Sequence, residues 1–208
     1  MFCYQCEQTS RGKGCSTFSV CGKDESSACL QDLLIHASKG IAQYAHRARA
    51  LGARDASVDR FIVKALFITV TNVNFDADAI AAAVREAAQV RDTAKALYEA
   101  AARKAGRTPE TLDGPATWAP APTLVGLVEQ GRTVSILSRT NEYGPDLTGL
   151  QELLVYGLKG AAAYADHAQI LGQESEIVYA FFAEALCRLA EEPPTADQLL
   201  ALCLKCGE

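Results

Sequence analysis

The chain has 208 residues, of which 49% are apolar and 22% are charged, and its net charge is −5. This composition is typical of a soluble globular protein, and the acidic balance argues against a nucleic-acid partner. No apolar run approaches the roughly 18 residues of a membrane span, and the start does not have the pattern of a signal peptide. We therefore predict no membrane contact and a cytoplasmic location, where cysteines are free thiols or metal ligands rather than disulfides.

The first predicted element is a cysteine-rich loop. Its four cysteines have the spacing C-x2-C-x8-C-x5-C: Cys3, Cys6, Cys15 and Cys21. The C-x2-C pair places two sulfur atoms on one tight turn, so both can face one metal centre. Three kinds of neighbour suit such a site. Glycines can turn backbone N–H groups inward (Gly12, Gly14, Gly22), and cations can offset the thiolate charge (Arg11, Lys13, Lys23). Aromatic rings can exclude water (Phe2, Tyr4, Phe18).

The residues alone allow three interpretations of this loop: a zinc site, an iron–sulfur cluster or disulfides. Tetrahedral zinc on four thiolates shares the C-x2-C pair, but zinc knuckles usually combine two such pairs, and the second pair here is spaced by five. An iron–sulfur cluster tolerates uneven spacing because its iron corners lie further apart than the ligands of one zinc ion. The spacing favours iron–sulfur over zinc, and disulfides come last in a reducing compartment.

Helical periodicity begins at about residue 27 and continues to about residue 106. The stretch LQDLLIHASKGIAQYAHRARALG (30–52) carries apolar residues at steps of three and four, with Ser26 or Ser27 as N-cap and Gly52 as the stop. VDRFIVKALFITVT (58–71) could be a buried strand by β-branching, but its length favours a helix. Asp76 then caps a third, alanine-rich helix.

Residues 106–122 read as a linker, because they contain four of the seven prolines. Trp118 lies in this linker, where anchoring against the helices is the favoured role over cofactor stacking. A short helix is predicted within 123–136.

An offset of 120 residues superposes the chain on itself. LQELLVYGLKGAAAYADHAQILG (150–172) matches residues 30–52 at 12 of 23 positions, and the register continues through Val58 over Val178 and Phe61 over Phe181. We predict two copies of a three-helix unit. The third helix of the second copy ends after about 14 residues, so we expect a truncated bundle that lacks half of this helix.

The remaining candidates receive structural interpretations. Cys29 and Cys187 are predicted core residues, and Cys203 and Cys206 fall inside the last helix, over Ala83 and Glu86 under the 120-residue offset. The three histidines lack metal spacing and are predicted at the helix surface: His36, His46 and His167. Two Lys-Gly pairs, 39–40 and 159–160, predict close helix packing beside a lysine that reaches solvent.

These segments together resemble the N-terminal domain of the hybrid cluster protein (prismane) family, also called hydroxylamine reductases. The resemblance rests on MFCYQCEQTSRGKGC…CGK, LQDLLIHASKGIAQYA, FITVTNVNFD, LQELLVYGLKGAAAYADHA and LKCGE, and it covers nearly the whole chain. It implies an all-α domain of two consecutive three-helix bundles. It also implies a surface cluster on Cys3, Cys6, Cys15 and Cys21, which in members with this short spacing is [4Fe–4S], with [2Fe–2S] or zinc as alternatives.

The resemblance further implies an electron-transfer module rather than a complete enzyme. In this family a second, hybrid cluster performs the reduction of hydroxylamine or nitric oxide, and its ligands come from later domains that this chain lacks. The implied partners are an electron-donor protein and those C-terminal domains. The predicted layout is a cluster-binding loop (1–26), a first bundle (27–106), a linker with a short helix (107–147) and an incomplete second bundle (148–208). A zinc-stapled helical interaction module is the alternative.

Overall fold

A computed structural model describes residues 1–9, 15–17, 19–191 and 195–208 of the chain. Within these ranges the protein is all-helical, as predicted, with eight α-helices and no strand. The helices are α1 (Glu25–Ala50), α2 (Ala56–Ile68), α3 (Ala77–Lys104), α4 (Leu124–Thr133), α5 (Ile136–Tyr143), α6 (Pro145–Ile170), α7 (Glu176–Ala190) and α8 (Ala196–Gly207). None of the described helices has the length and apolarity that a membrane crossing requires.

Side-chain caps define where these helices begin. The predicted cap of α3 is correct, because the Asp76 carboxylate accepts hydrogen bonds from the backbone N–H groups of Asp78 and Ala79. For α1 the prediction is wrong by two or three residues: Asp24, not Ser26 or Ser27, is the N-cap, and it accepts from the Ser27 N–H at 2.7 Å. A charged carboxylate at this place also complements the positive end of the helix dipole.

The helices of the two halves follow nearly the same spacing. α1 and α6 begin at residues 25 and 145 and end at 50 and 170, and α2 and α7 begin at 56 and 176. α3 and α8, however, begin at 77 and 196, because α8 begins 20 residues after the start of α7, whereas α3 begins 21 residues after the start of α2. The offset in the third helix is therefore 119, so Cys203 and Cys206 overlie Val84 and Ala87 rather than Ala83 and Glu86.

Both halves contribute to one hydrophobic core. α1 lies at its centre and packs against α2, α3, α4 and α7, while α2 packs against α6. The contacts are reciprocal, since the first helix of each half meets the second helix of the other. Fully buried side chains come from both halves: Leu30, Leu33, Leu34, Leu154, Leu158 and Phe182. The second half therefore depends on the first for much of its apolar burial.

The segment between the halves is tied to this core. A short 3-10 helix (Gly114–Ala116) lies against α1, and a Cβ atom added at Gly40 would stand 2.1 Å from the Pro115 carbonyl oxygen. Close packing at Gly40 is thus as predicted. At Gly160 the same prediction is wrong, because the added atom would meet nothing within 4 Å. Trp118 is half-buried with its ring edge-on to His36, at 6.4 Å between centroids, which agrees with the anchoring role.

Two predictions about polar side chains are wrong. Lys39 and Lys159 do not reach solvent, since only 6% and 7% of their surfaces are exposed. The reciprocal packing of the halves covers them, and the Lys159 ammonium donates to the Thr69 carbonyl oxygen at 3.1 Å instead. His36 and His46 are half-buried rather than at the helix surface, whereas His167 is exposed as predicted.

Candidate functional site

The four N-terminal cysteines share one cavity. A space of about 350 Å³ is lined by Cys3, Cys6, Cys15 and Cys21, together with Thr71 and Asn72 of the segment after α2. Cys3 and Cys15 are buried, whereas Cys6 and Cys21 are exposed at the mouth. The loop therefore presents sulfur atoms both at the inner wall and at the protein surface.

Backbone and apolar contacts hold the inner half of the loop. The Phe2 N–H donates to the Cys15 carbonyl oxygen at 2.8 Å and so joins the two cysteine segments. Cys3, Cys15 and Ala28 form a small buried cluster against which Phe2 packs. At the mouth, a short 3-10 helix (Glu7–Thr9) follows Cys6, whose carbonyl oxygen accepts from the Thr9 hydroxyl at 2.9 Å. The water-excluding role predicted for Phe2 is consistent with this packing.

A buried cation lies beside the thiols. Lys23 is 2% exposed, and its ammonium donates to the side-chain oxygens of Gln5 and Gln31, at 2.8 Å each. The Gln5 amide also donates to the Gln31 oxygen at 3.2 Å. No carboxylate in the described ranges lies within ion-pair distance of this ammonium. A buried charge without a counter-ion is costly, so anionic sulfur in the adjacent cavity would stabilise it.

The same network fastens the loop to the helices. The Thr71 hydroxyl donates to the Gln5 carbonyl oxygen at 2.9 Å, and the Gln31 amide donates to the Asn74 carbonyl oxygen at 2.9 Å. On the other side, the Tyr156 hydroxyl of α6 donates to the Tyr4 carbonyl oxygen at 2.9 Å. Segments from both halves of the fold thus position the cysteine loop.

The thiol environments differ between the inner wall and the mouth. Burial raises the pKa of the Cys3 thiol, against the opposing effects of a Gln5 backbone hydrogen bond and the Lys23 charge. A hydrogen bond from the Lys23 backbone N–H lowers the pKa of the Cys21 thiol. Cys21 is therefore the more readily ionised of these two sulfur atoms.

The cavity gathers the thiols without a tight metal site. In the part of the chain that the structure describes, no three Cys, His, Asp or Glu side chains converge closely enough to hold a single metal ion. The predicted contributions of Arg11, Gly12, Lys13, Gly14 and Phe18 lie outside the described residues. Sequence reasoning named Lys23 but missed Gln5, Gln31 and Thr71. The recurrence of Gln31 as Gln151 in the second copy was the available signal.

The other four cysteines lie away from this cavity. Cys29 and Cys187 are buried core residues, as predicted, and burial raises the pKa of each thiol to about 11. Cys203 and Cys206 lie on α8 and are half-buried against α6: the Cys206 sulfur would be 2.8 Å from a Cβ atom added at Gly157. Their C-x2-C spacing thus serves helix packing.

Comparison with known proteins shows the family to which the chain belongs. The sequence profile of the Prismane/CO dehydrogenase family matches residues 1–208. The chain belongs to this family. Similar prismane-family proteins named hydroxylamine reductase include those of Rhodospirillum rubrum (54% identical over 207 residues), Burkholderia lata (49% over 211) and Acidithiobacillus ferrooxidans (48% over 211). Each comparison covers the whole chain but only 38% of the relative, so the chain spans well under half the length of these proteins.

Proposed function

We propose that Cys3, Cys6, Cys15 and Cys21 hold an iron–sulfur cluster through which this chain passes electrons to the remainder of a hydroxylamine-reductase-like enzyme. The observation that carries the proposal is the single cavity lined by all four thiols. When bound, such a cluster supplies one-electron redox chemistry. Prismane-family membership supports an iron–sulfur assignment, and the short cysteine spacing points to [4Fe–4S] rather than [2Fe–2S].

The donor set and the space both suit a polynuclear group. Four sulfur donors are the usual ligands of an iron–sulfur cluster and also of structural zinc. A single zinc ion, however, draws four sulfur atoms to about 2.3 Å from one point. The thiols here are instead distributed around a cavity of about 350 Å³. This arrangement supports a larger group over one ion.

Lys23 supplies charge compensation in this proposal. Its ammonium is fixed by Gln5 and Gln31, lies in the wall of the cavity and has no carboxylate partner among the described residues. A fixed positive charge near thiolates favours a reduced, more negative state and so raises the reduction potential. We expect Lys23→Met to lower the midpoint potential and Lys23→Arg to restore part of it.

The exposed mouth suits electron entry from a protein donor. Cys6 and Cys21 lie at the surface, next to the exposed Glu7 and Val20. A donor that docks there approaches the sulfur atoms without a change in the helical core. Where the cysteine loop contacts α6, the Tyr156 hydroxyl donates to the Tyr4 carbonyl oxygen. We propose that electrons leave on that side, towards domains that correspond to the rest of the longer relatives, in a cytoplasmic enzyme.

Ligand substitution tests the proposal. Cys6→Ser removes an exposed sulfur, so the fold should persist while the iron and acid-labile sulfide contents fall and the broad visible absorbance is lost or changed. Cys203→Ser is the matched control, because this half-buried cysteine lies outside the cavity and should keep the full iron content. Unchanged iron and sulfide in Cys6→Ser would remove this residue from the ligand set.

A further inference from the structure

A polar cavity of about 210 Å³ lies between the two halves of the fold. Its walls come from α1 and α6, together with the 3-10 helix before α4, the end of α4, α5 and the end of α7. α1 and α6 are not among the helix pairs that pack closely, and the cavity lies between them. A space of this size has room for several water molecules or for one small solute.

Equivalent positions of the two halves meet in this cavity. The offset of 120 residues relates three pairs of its lining side chains: Asp32 and Glu152, Ile35 and Val155, Lys39 and Lys159. Each half therefore contributes one acidic, one apolar and one basic side chain. Two ammonium groups thus line a single enclosed space, where like charges repel more strongly than they do in water.

The two ammonium groups differ in their partners. Lys159 donates to the carbonyl oxygen of Thr69 at 3.1 Å. Lys39 is 6% exposed, and among the described residues its ammonium has neither a hydrogen-bond acceptor nor an ion-pair partner. A buried ammonium without an acceptor is costly. An acceptor held inside the cavity would remove this cost.

Most carboxylates that line the cavity are engaged elsewhere. Glu152 accepts from Arg139 at 2.6 Å, and Glu191 pairs with Arg47 at 3.2 Å. Glu142 is exposed to solvent, so water screens its charge. None of these three groups is therefore a free counter-ion for the buried lysine.

Asp32 is the remaining carboxyl group of the lining. It has no hydrogen-bond or ion-pair partner among the described residues, and burial raises its pKa to about 7, followed by the charge of Glu152. Below neutral pH this group keeps its proton and can donate a hydrogen bond. Burial lowers the pKa of His36 to about 4 and raises that of the Tyr143 phenol, so both stay uncharged. The cavity then offers donors to a ligand.

We propose that this cavity binds one small anion with oxygen acceptors, a carboxylate or an inorganic oxyanion, between the ammonium groups of Lys39 and Lys159. An anionic oxygen would give Lys39 the acceptor that the described residues do not supply, in a charge-assisted hydrogen bond. The protonated Asp32 would donate to the same ligand. None of the lining residues also lines the cysteine cavity, so the proposal goes beyond the electron-transfer function and does not depend on it.

Isothermal titration calorimetry of the 208-residue chain with acetate and with sulfate tests this site. Chloride balances the ionic strength. At about pH 6 we expect saturable binding of one anion per chain. Lys39→Met should weaken it at least about tenfold, because the variant keeps the length of the side chain and loses its charge. Lys95→Met is the matched control, since Lys95 is exposed on α3, lies outside the cavity and should leave the affinity unchanged.

The pH dependence of binding to the wild type is a second test, which does not depend on the folding of any variant. Burial and the Arg139 charge lower the pKa of Lys39 to about 7. From pH 6 to 8.5 the cavity therefore loses the charge of Lys39 and gains that of Asp32, so the affinity for acetate should fall at least about threefold. Exposed lysines titrate near pH 10 and would keep their affinity over this range.

Three results would overturn the proposal: no saturable binding of either anion, equal affinity in Lys39→Met and the wild type, or an affinity that does not change between pH 6 and 8.5. Saturable binding of acetate alone would support a carboxylate ligand, and of sulfate alone an inorganic oxyanion. Neither readout involves iron, so failure here is distinguishable from failure of the cluster assignment.

Discussion

The two halves of this protein carry the same helical pattern in different surroundings. Tyr44 and Tyr164 occupy equivalent places on α1 and α6, yet one is 3% exposed and the other 82%. Gly40 and Gly160 are likewise equivalent, but only Gly40 contacts a neighbouring backbone. The comparison teaches that the burial of a position is set by the helix that covers it. The same residue type can therefore be buried and stabilising in one half and solvent-exposed in the other.

The lysines make the same point with charge. Lys39 and Lys159 both line a polar cavity of about 210 Å³ with Asp32 and His36, and the Lys159 ammonium also donates to the carbonyl oxygen of Thr69. The Lys39 pKa is lowered to about 7 by burial and by the nearby Arg139 charge. The two equivalent lysines thus share one polar cavity, and the end of α2 fixes the ammonium of Lys159 there.

The largest expected effect comes from the tyrosine pair. Tyr44→Ala should destabilise the protein by roughly 3 kcal/mol, because it removes a buried ring from the contact with Tyr98. Tyr164→Ala should change the free energy of unfolding by less than about 0.5 kcal/mol, as expected at an exposed site. Urea denaturation measures both values. Equal losses in the two variants would contradict the difference in burial.

The glycine pair predicts opposite signs. Gly40→Ala should cost about 2 kcal/mol, since the new methyl group would collide with the Pro115 carbonyl. Gly160→Ala should stabilise by about 0.5–1 kcal/mol, because the site is open and alanine is the better helix former. Thermal unfolding of the two variants under one condition decides the matter. A destabilised Gly160→Ala would show that α6 is more tightly covered than described.

The internal polar cavity predicts a pH dependence. Burial, followed by the charge of Glu152, raises the pKa of the Asp32 carboxyl to about 7, with Lys159, Arg139 and Lys23 opposing the shift. Between about pH 4 and 7 the unfolded chain has lost this proton and the folded chain has kept it, so stability falls as pH rises through this range. Asp32→Asn should reduce this loss of unfolding free energy by at least about 1 kcal/mol.

Chemical denaturation of the wild type and Asp32→Asn at pH 4.5, 6 and 7.5 follows this difference. His36 has the opposite effect on stability, because burial lowers its pKa to about 4. Below about pH 6.5 the unfolded chain binds a proton at this histidine before the folded chain does, so the folded state loses stability as the pH falls. The comparison between the two variants cancels the His36 contribution. Parallel curves for the two proteins would exclude Asp32 as the titrating group.

The smallest effect belongs to the surface pair between the halves. Arg60 on α2 reaches Glu174 at 2.6 Å, with 55% and 35% of the two side chains exposed. Arg60→Ala removes this ion pair and should lower the free energy of unfolding by no more than about 0.5 kcal/mol. At high salt the loss should disappear, because exposed ion pairs are screened there. A loss above about 1 kcal/mol would show that the pair, rather than the shared core, joins the halves.

Much of the fold could be predicted because its signals are local. Apolar steps of three and four define the long helices, Asp76 supplies a side-chain cap, and the matching of residues 30–52 with 150–172 predicts equal helices. The one-residue shift of α8 could not be seen, because residue identities around Thr195 are too few to locate a shortened loop. The packing of the first helix of each half against the second helix of the other half depends on tertiary contacts, which sequence periodicity does not reveal.

The candidate site also combines residues that the sequence reveals with residues that only the structure reveals. The four cysteines are visible as a spacing, and their common cavity follows from the short loop that connects them. The Lys23–Gln5–Gln31 network joins residues 26 positions apart through side-chain amides, which no short motif reports. Lys159 was misjudged because a lysine on a helix usually reaches solvent, and only the neighbouring α2 end shows why this one does not.

Metal and sulfide analysis of the protein purified without oxygen tests the central claim most directly. Four cysteines around one cavity, with a fixed ammonium beside them, predict about four iron atoms and about four acid-labile sulfides per chain and no stoichiometric zinc. One zinc per chain with no sulfide would contradict this account and would make the loop a structural staple.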